Sequence, residues 1–305
     1  MADAAPLGDT PPGFRSGFVG LVGKPNVGKS TILNAYLDRK VSIISSKPQT
    51  TRQRILGVLT RDNAQVVFLD SPGWHEPKDV MGRYMLTSAR NVMEEADVLV
   101  VVLDATTGIE QEDEWVFDQV RKLGHPVLLA LNKADAVKKP LMLPLLEQCA
   151  AMNLFADLIP MSALRGENLD ELLKQIIARL PEGPRWYEAH QLTDQPTEQV
   201  IREFIREAAL QATRQEVPHS VAVRLDEMTE KERITVIRAT ILVEREGQKA
   251  IIIGKGGLML KHIGVQARLE LERWLGRRVF LELWVKVIGP WRQDSAMLRE
   301  LGYEG

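Results

Sequence analysis

A single cysteine, Cys149, stands among the 305 residues, so no intrachain disulfide can form and a reducing, cytoplasmic compartment is expected. Long apolar runs are missing as well. The longest aliphatic stretch, 98–103, is six residues, against the ~20 that a membrane-spanning helix needs. The first sixteen residues, MADAAPLGDTPPGFRS, carry neither a basic start nor an apolar core; they do not read as a secretion signal and are expected to form a flexible tail. An excess of one charge is also lacking. Lys and Arg number 39 against 41 Asp and Glu, and a net −2 draws the whole protein to no polyanion, so any nucleic-acid contact must be local. What remains is ordinary: 45% apolar residues over roughly two domains of length, enough for buried cores and too much for a disordered chain.

From residue 17 onward, apolar runs alternate with amphipathic segments: GFVGLV, VVFLD, DVLVVVLD, PVLLALN and DLIPMS each precede a helical pattern. Such alternation predicts βα units around a parallel sheet covered on both faces, a doubly wound α/β domain over 17–183. The stretch 181–196 holds three prolines and a glycine, a composition that breaks regular structure, and 184–196 is taken as a linker. Beyond it the order changes to helix, two strands, two helices around a glycine turn, and a strand. That order predicts a smaller α+β domain over 197–290, with 291–305 as a C-terminal tail. Positive charge gathers in this half: 245–278 carries eight basic residues against three acidic ones.

The segment Gly23, Lys24, Pro25, Asn26, Val27, Gly28, Lys29, Ser30 fits G-x-x-x-x-G-K-[ST] between an apolar strand and a helix, the context a phosphate-binding loop requires. Glycines let backbone N–H groups converge on phosphate oxygens, the helix N-terminus adds positive potential, and Lys29 brings a charge to the β/γ phosphates. Ser30 is expected to ligate Mg²⁺, and Thr31 follows it in the same set. Asp70, Ser71, Pro72 and Gly73 close the strand VVFL, placing Asp70 to hold the metal and the Gly73 N–H to reach the γ-phosphate. Asn132, Lys133 and Asp135 lie in N-K-A-D after PVLLAL. A carboxylate only accepts hydrogen bonds, and guanine offers adjacent N1–H and N2–H donors where adenine presents a bare acceptor, so Asp135 selects GTP over ATP. Ser162 and Ala163 end the next strand, with the Ala163 amide expected at guanine O6 and the Lys133 stem over the ring. In the polar loop KPQTTR, a hydroxyl of Thr50 or Thr51 is expected to complete the Mg²⁺ shell and sense the γ-phosphate; the pattern alone does not choose between them.

GKPNVGKS, PQTTR, DSPG, NKAD and MSA, in this order, resemble the translation-factor-related GTPases that include the Era, EngA and TrmE families. Trp74 stands where Ras-like proteins carry a glutamine that orients water. The resemblance implies hydrolysis without that glutamine, with a K⁺ held through Asn26 supplying positive charge. Turnover is then expected to be slow, on the order of 10⁻⁴ to 10⁻² s⁻¹.

Gly254, Lys255, Gly256 and Gly257 form a G-x-x-G turn opening a helix that carries Lys261 and Arg268. Such a turn brings bare backbone against a nucleic-acid backbone, as KH domains do. PHSVAVRLDEM, ATILVEREGQKAIIIGKGGLMLKHIG, VFLELWVKV and WRQDSAMLRELGY closely resemble the KH half (type II) of the Era family, extending the likeness over about 17–303. The resemblance implies a monomeric factor that binds GTP/GDP with Mg²⁺ and hydrolyses GTP. It also implies binding of small-subunit ribosomal RNA near the 3′ end and assistance to small-subunit maturation, together with weak peripheral contact at the inner face of the cell membrane and no DNA partner. Trp291 and Arg292 join the expected RNA contacts. Trp274 and Trp284 are read as core, His75 as a surface-loop residue and Cys149 as a small buried hydrophobe. The alternative is a KH-type RNA chaperone that uses GTP only as a binding switch; a tRNA-modifying GTPase would need a further catalytic domain.

Overall fold

The computed structural model describes residues 10–45, 47, 49–213 and 217–303, and the expected tail over residues 1–9 lies outside them. Two compact units result. The first holds the chain up to Ser42 together with Thr51–Glu76 and Met85–Asp194; the second holds Ile43–Thr50, Pro77–Tyr84 and the chain from Gln195.

The first half of the chain runs β1 (Arg15–Val22), α1 (Lys29–Leu37), β2 (Ile55–Thr60), β3 (Ala64–Asp70), α2 (Val80–Glu95), β4 (Val98–Asp104), α3 (Gln111–Arg121), β5 (Val127–Asn132), α4 (Lys139–Ala151), β6 (Asp157–Pro160) and α5 (Leu169–Arg179). The strands order as β2-β3-β1-β4-β5-β6. Every residue of β3, β4 and β5 is buried, as continuous apolar strands between two helical layers must be. The alternation of strand side chains divides them between faces: Val98, Val100 and Val102 enter one core, Leu99, Val101 and Leu103 the other.

Two sequence expectations change here. The sheet is mixed, because β2 pairs antiparallel with β3; the three residues between them can close a hairpin but cannot make the crossover that parallel pairing needs. The tail also ends earlier than residue 16: Phe14 is buried and β1 begins at Arg15, which pairs with Ala64.

The expected linker is tied to the first unit. Val58 N donates to Leu192 O (2.9 Å) and Thr193 Oγ1 to Leu56 O (2.7 Å), giving the edge strand β2 backbone partners. Fully buried Gln65 clamps the same segment, its Oε1 accepting from the amides of Trp186 (2.8 Å) and Tyr187 (3.0 Å) and its Nε2 donating to Tyr187 O (2.8 Å).

The second unit contains α6 (Thr197–Ala212), α7 (Val217–Ser220), β7 (Ala222–Glu230), β8 (Ile234–Val243), α8 (Glu246–Ile253), α9 (Leu258–Leu275), β9 (Arg278–Val287) and α10 (Ser295–Glu300). Its sheet, β7-β8-β9, pairs β7 with β8 antiparallel and β8 with β9 parallel. Ile263, Ala267 and Leu271, one α9 stripe at four-residue spacing, pack with Ile237, Ala239, Ile241 and Val243 of β8. The segment expected as a C-terminal tail folds within this unit, with Trp291, Leu298, Leu301 and Tyr303 buried. Among the described residues, no helix is long and apolar enough to cross a membrane.

Gln65→Ala would leave the Trp186 and Tyr187 amides without their acceptor. Urea unfolding should show a loss of about 2 kcal/mol, with trypsin cutting at Arg185 faster than in the parent; unchanged cleavage would mean that other contacts hold the segment.

Candidate nucleotide site and nucleic-acid groove

Strands β1, β3, β4, β5 and β6 run parallel and deliver their following loops to one edge of the sheet. The order β3-β1-β4 puts the loop after β1 at the point where the chain reverses direction across the sheet, the usual ligand crevice of such folds.

The loop Gly23–Ser30 wraps the start of α1. Gly28 is left-handed (φ 107°), and a Cβ there would lie 2.1 Å from Asn132 Nδ2. Only glycine fits. Lys29 is buried and its Nζ donates to Gly23 O (3.0 Å) and Lys24 O (2.9 Å). Burial pushes the Lys29 pKa down to about 8, against the pull of Asp70 and Asp113 toward the charged form. Asn26 holds a left-handed turn (φ 63°). Val27 and Pro25 act through backbone and packing: the Val27 side chain is in the core, and Gly73 approaches so closely that a Cβ there would meet Pro25 Cα at 2.6 Å. Lys24 turns away from the phosphate cradle. Its ammonium meets Thr107 Oγ1 (3.1 Å), Glu110 Oε2 (2.5 Å) and Asp113 Oδ2 (2.8 Å) at the start of α3. Burial opposes that charge, but the two carboxylates outweigh it and hold the Lys24 pKa above its ordinary value.

Ser30 Oγ donates to Asp70 Oδ2 (2.6 Å) and lies 3.0 Å from Thr51 Oγ1. Ser42 Oγ, which sequence analysis did not single out, also donates to Asp70 Oδ2 (3.0 Å). Thr50 points elsewhere, its hydroxyl donating to Lys47 O (2.6 Å). The geometry therefore chooses Thr51 as the hydroxyl beside Ser30 and Asp70. Asp70 is fully buried, and its Oδ1 has no hydrogen-bond partner among the described residues. Burial raises its pKa, while Lys29, Ser30 and Ser42 counter the rise. Two hydroxyls and a buried carboxylate with an unused oxygen are the hard-oxygen donor set that Mg²⁺ takes, so these residues fit the expected metal. Ser71 Oγ donates to Leu21 O (2.8 Å), fixing the start of the Asp70–Gly73 turn. Trp74 is buried in the apolar core, with its amide donating to Gly23 O (3.0 Å) and Arg90 5.8 Å from its ring centre.

At the base end, Asn132 Nδ2 donates to Val27 O (2.7 Å) and its Oδ1 accepts from Ala163 N (2.9 Å). The Ala163 amide expected at guanine O6 is thus directed to Asn132. Lys133 adopts a left-handed conformation (φ 64°) and pairs with Asp104 Oδ2 (2.5 Å). Burial disfavours the Asp104 carboxylate, but Lys133 and Thr106 more than compensate and hold its pKa below the usual range. Asp104 went unread in the sequence although, like Asp70, it ends an apolar strand. Asp135 lies 3.2 Å from Arg165 Nε, and Ser162 Oγ accepts from Arg165 N (3.2 Å).

In the second unit, the turn at Gly254–Gly257 has positive φ at Gly254, Gly256 and Gly257. It opens one end of a groove of about 410 Å³ lined by Gly257, Leu260, Lys261, Gly264, Val265 and Arg268 on one side and Leu281, Glu282 and Leu283 of β9 on the other. Lys255 and Lys261 are exposed. The apolar lining from Leu260 and Val265, and the β9 side, were not legible in the sequence, because which strand faces this part of α9 is set by packing. Two expectations fail. Trp291 cannot meet RNA, because it is 1% exposed, its indole N–H donates to Ser220 O (3.0 Å) and its ring stacks on Tyr303. Trp284, read as core, is 47% exposed, since it points to the sheet face opposite the helices. Arg292 is held by Glu244 (3.1 Å) and Asp79 (3.4 Å). Cys149 is buried, which raises its pKa to about 11.

A family model described as a 50S ribosome-binding GTPase matches residues 18–133, and one described as a KH domain matches 216–292. The chain is 43% identical over 290 residues to the GTPase Era of Staphylococcus epidermidis, covering 95% of this chain and 97% of the relative. Crystal structures of an Aquifex aeolicus Era variant bound to GDP·AlF4⁻ and of Era with MgGDPNP and nucleotides 1506–1542 of 16S ribosomal RNA are 44% and 45% identical. Each superposes with a TM-score of 0.93 and covers 96% of this chain and 100% of its own.

Phosphate beside Lys29 would restore its charge, so between pH 8 and 9 the nucleotide-bound form holds more protons than the free form and affinity falls as pH rises. Calorimetry in buffers of different ionisation heat should show proton uptake on GDP binding rising from about half a proton at pH 8 to about nine-tenths at pH 9, with Kd weakening about fivefold over that interval. Lys29→Arg, permanently charged, should bind without this uptake; equal uptake would identify another titrating group.

Proposed function

This chain belongs to the Era family of GTPases, and we propose that it couples GTP hydrolysis to the binding of small-subunit ribosomal RNA near its 3′ end, in assisting small-subunit maturation. One observation carries the proposal: a single chain joins the Ser30, Thr51, Asp70 constellation to a glycine-turn groove, and Era solved with both MgGDPNP and 16S nucleotides 1506–1542 matches it along 96% of its length. The family model's description names the large subunit. We follow the 16S complex because it spans both halves of the chain, whereas that model covers only residues 18–133.

In this proposal hydrolysis belongs to 17–183 and RNA binding to 197–290. Lys29 and the backbone of Gly23–Ser30 hold the phosphates, Thr31 extends that set, and Asp135 reads guanine. Mg²⁺ held by Ser30, Thr51 and Asp70 neutralises charge on the β- and γ-phosphates. Trp74 has no hydrogen-bond acceptor to offer an attacking water and is committed to the core, which supports slow turnover; the added K⁺ near Asn26 rests on the family resemblance alone. The exposed Leu141 and Leu143 of α4 support peripheral contact of a cytoplasmic monomer with the inner membrane face.

Thr51→Ala should lower single-turnover GTP hydrolysis by about 10²-fold, whereas Thr50→Ala should stay within a few-fold of the parent; the reverse ranking would reassign the metal-facing hydroxyl. Replacing Gly256 and Gly257 together by Asp introduces two anions where RNA phosphates would approach. Filter binding with a 16S 3′-end fragment should then show at least a tenfold loss at unchanged GDP affinity, and intact RNA binding would remove the groove from the proposal.

A further inference from the structure

Asp135 lies in a short helical turn after β5, with its carboxylate mostly buried and its Oδ2 3.2 Å from Arg165 Nε. The arginine is not carried on a loose end. Ser162 and Glu167 exchange backbone hydrogen bonds (3.1 and 3.0 Å), Arg165 N donates to Ser162 Oγ, and Gly166 takes the left-handed conformation that closes the turn. A locked hairpin after β6 thus presents a guanidinium to the carboxylate that reads the base. Ser162 and Ala163 of that hairpin belong to the expected guanine site, but nothing in the sequence pattern gave Arg165 a part in it.

We infer that Arg165 is an intramolecular competitor of guanine for Asp135. The likeness is chemical: a guanidinium edge and the N1–H, N2–H edge of guanine both offer adjacent, coplanar donors to a carboxylate. Guanine engages Asp135 fully only by displacing the arginine, and the arginine retakes the carboxylate as the base leaves. The pair therefore weakens guanine-nucleotide binding and speeds release, a device for exchange that needs no second protein. Arg165 is 61% exposed, so the penalty is modest, a few-fold in an equilibrium constant as for other solvated ion pairs. The sign is distinctive, because loss of a cation beside a polyphosphate site would by charge alone weaken binding, whereas loss of a competitor tightens it.

The inference rests on Asp135 reading guanine, and stopped-flow fluorescence with an N-methylanthraniloyl GDP on the full chain with Mg²⁺ tests both. Arg165→Gln should bind GDP about threefold more tightly, chiefly through slower release. In an Asp135→Asn background, measured with the xanthine diphosphate that an amide can recognise, the arginine has no carboxylate to hold and Arg165→Gln should leave Kd unchanged. Unchanged or weaker GDP binding by Arg165→Gln overturns the inference, as does equal tightening in both backgrounds, which would be an effect of the loop. If Asp135→Asn alone keeps full GDP affinity, the base assignment fails and the inference with it.

Discussion

The nucleotide half is organised around the buried side chain of Asn132. One amide group reaches back to Val27 O in the phosphate loop and across to Ala163 N after β6, joining three loops that are far apart in the chain. Its position also dictates Gly28, whose Cβ would collide with it. Two requirements that look independent in the sequence, a glycine before Lys29 and an asparagine over a hundred residues later, are one steric fact. Any larger residue at 28 would push the phosphate loop off its strut, and any residue at 132 without both a donor and an acceptor would leave a buried backbone group unpaired.

Around that strut the fold keeps charges where burial opposes them. Lys29 and Asp70 are both inside, each partly offsetting the cost of the other, and each is shifted by burial away from its ordinary pKa. The rigid sheet makes this tolerable, since β1 and β3 pair along seven residues immediately before the two loops. Lys24 shows the contrasting case: on the same loop, it satisfies its charge with Glu110 and Asp113 of α3 and so helps fix the loop rather than bind through it. The two lysines of one loop thus differ in what holds them: carboxylates of α3 for Lys24, the loop's own carbonyls for Lys29.

Legibility in the sequence followed the range of the forces involved. Apolar strands, the phosphate loop, Asp70 and the order of elements in the second half were readable because strand period and glycine-lysine spacing are local. The antiparallel β2 was within reach, since a three-residue connection excludes a crossover. Long-range pairings were not: Arg165 at Asp135, Asp104 at Lys133 and Ser42 at Asp70 each depend on how loops meet at the sheet edge. The choice between Thr50 and Thr51 likewise needed geometry. Trp291 misled for a related reason. It lies outside the apolar patterns of the strands and helices and so was expected to be open to RNA, but a partner for its indole N–H at Ser220, seventy-one residues earlier, makes burial the better solution.

Trp74 shows how one substitution moves work from a side chain to the backbone. A glutamine at that position would keep its amide at the reacting centre, whereas the tryptophan spends its area on the core among Val22, Leu69 and Val101, with Arg90 near its ring. What it leaves at the site is its peptide N–H, bonded to Gly23 O, and the Gly73 turn packed against Pro25. Under the proposed function, the backbone of the Gly73 turn and the charged groups of Lys29 and Asp70 are what remain near the site to place an attacking water. Such a site gains rigidity and loses a movable polar group.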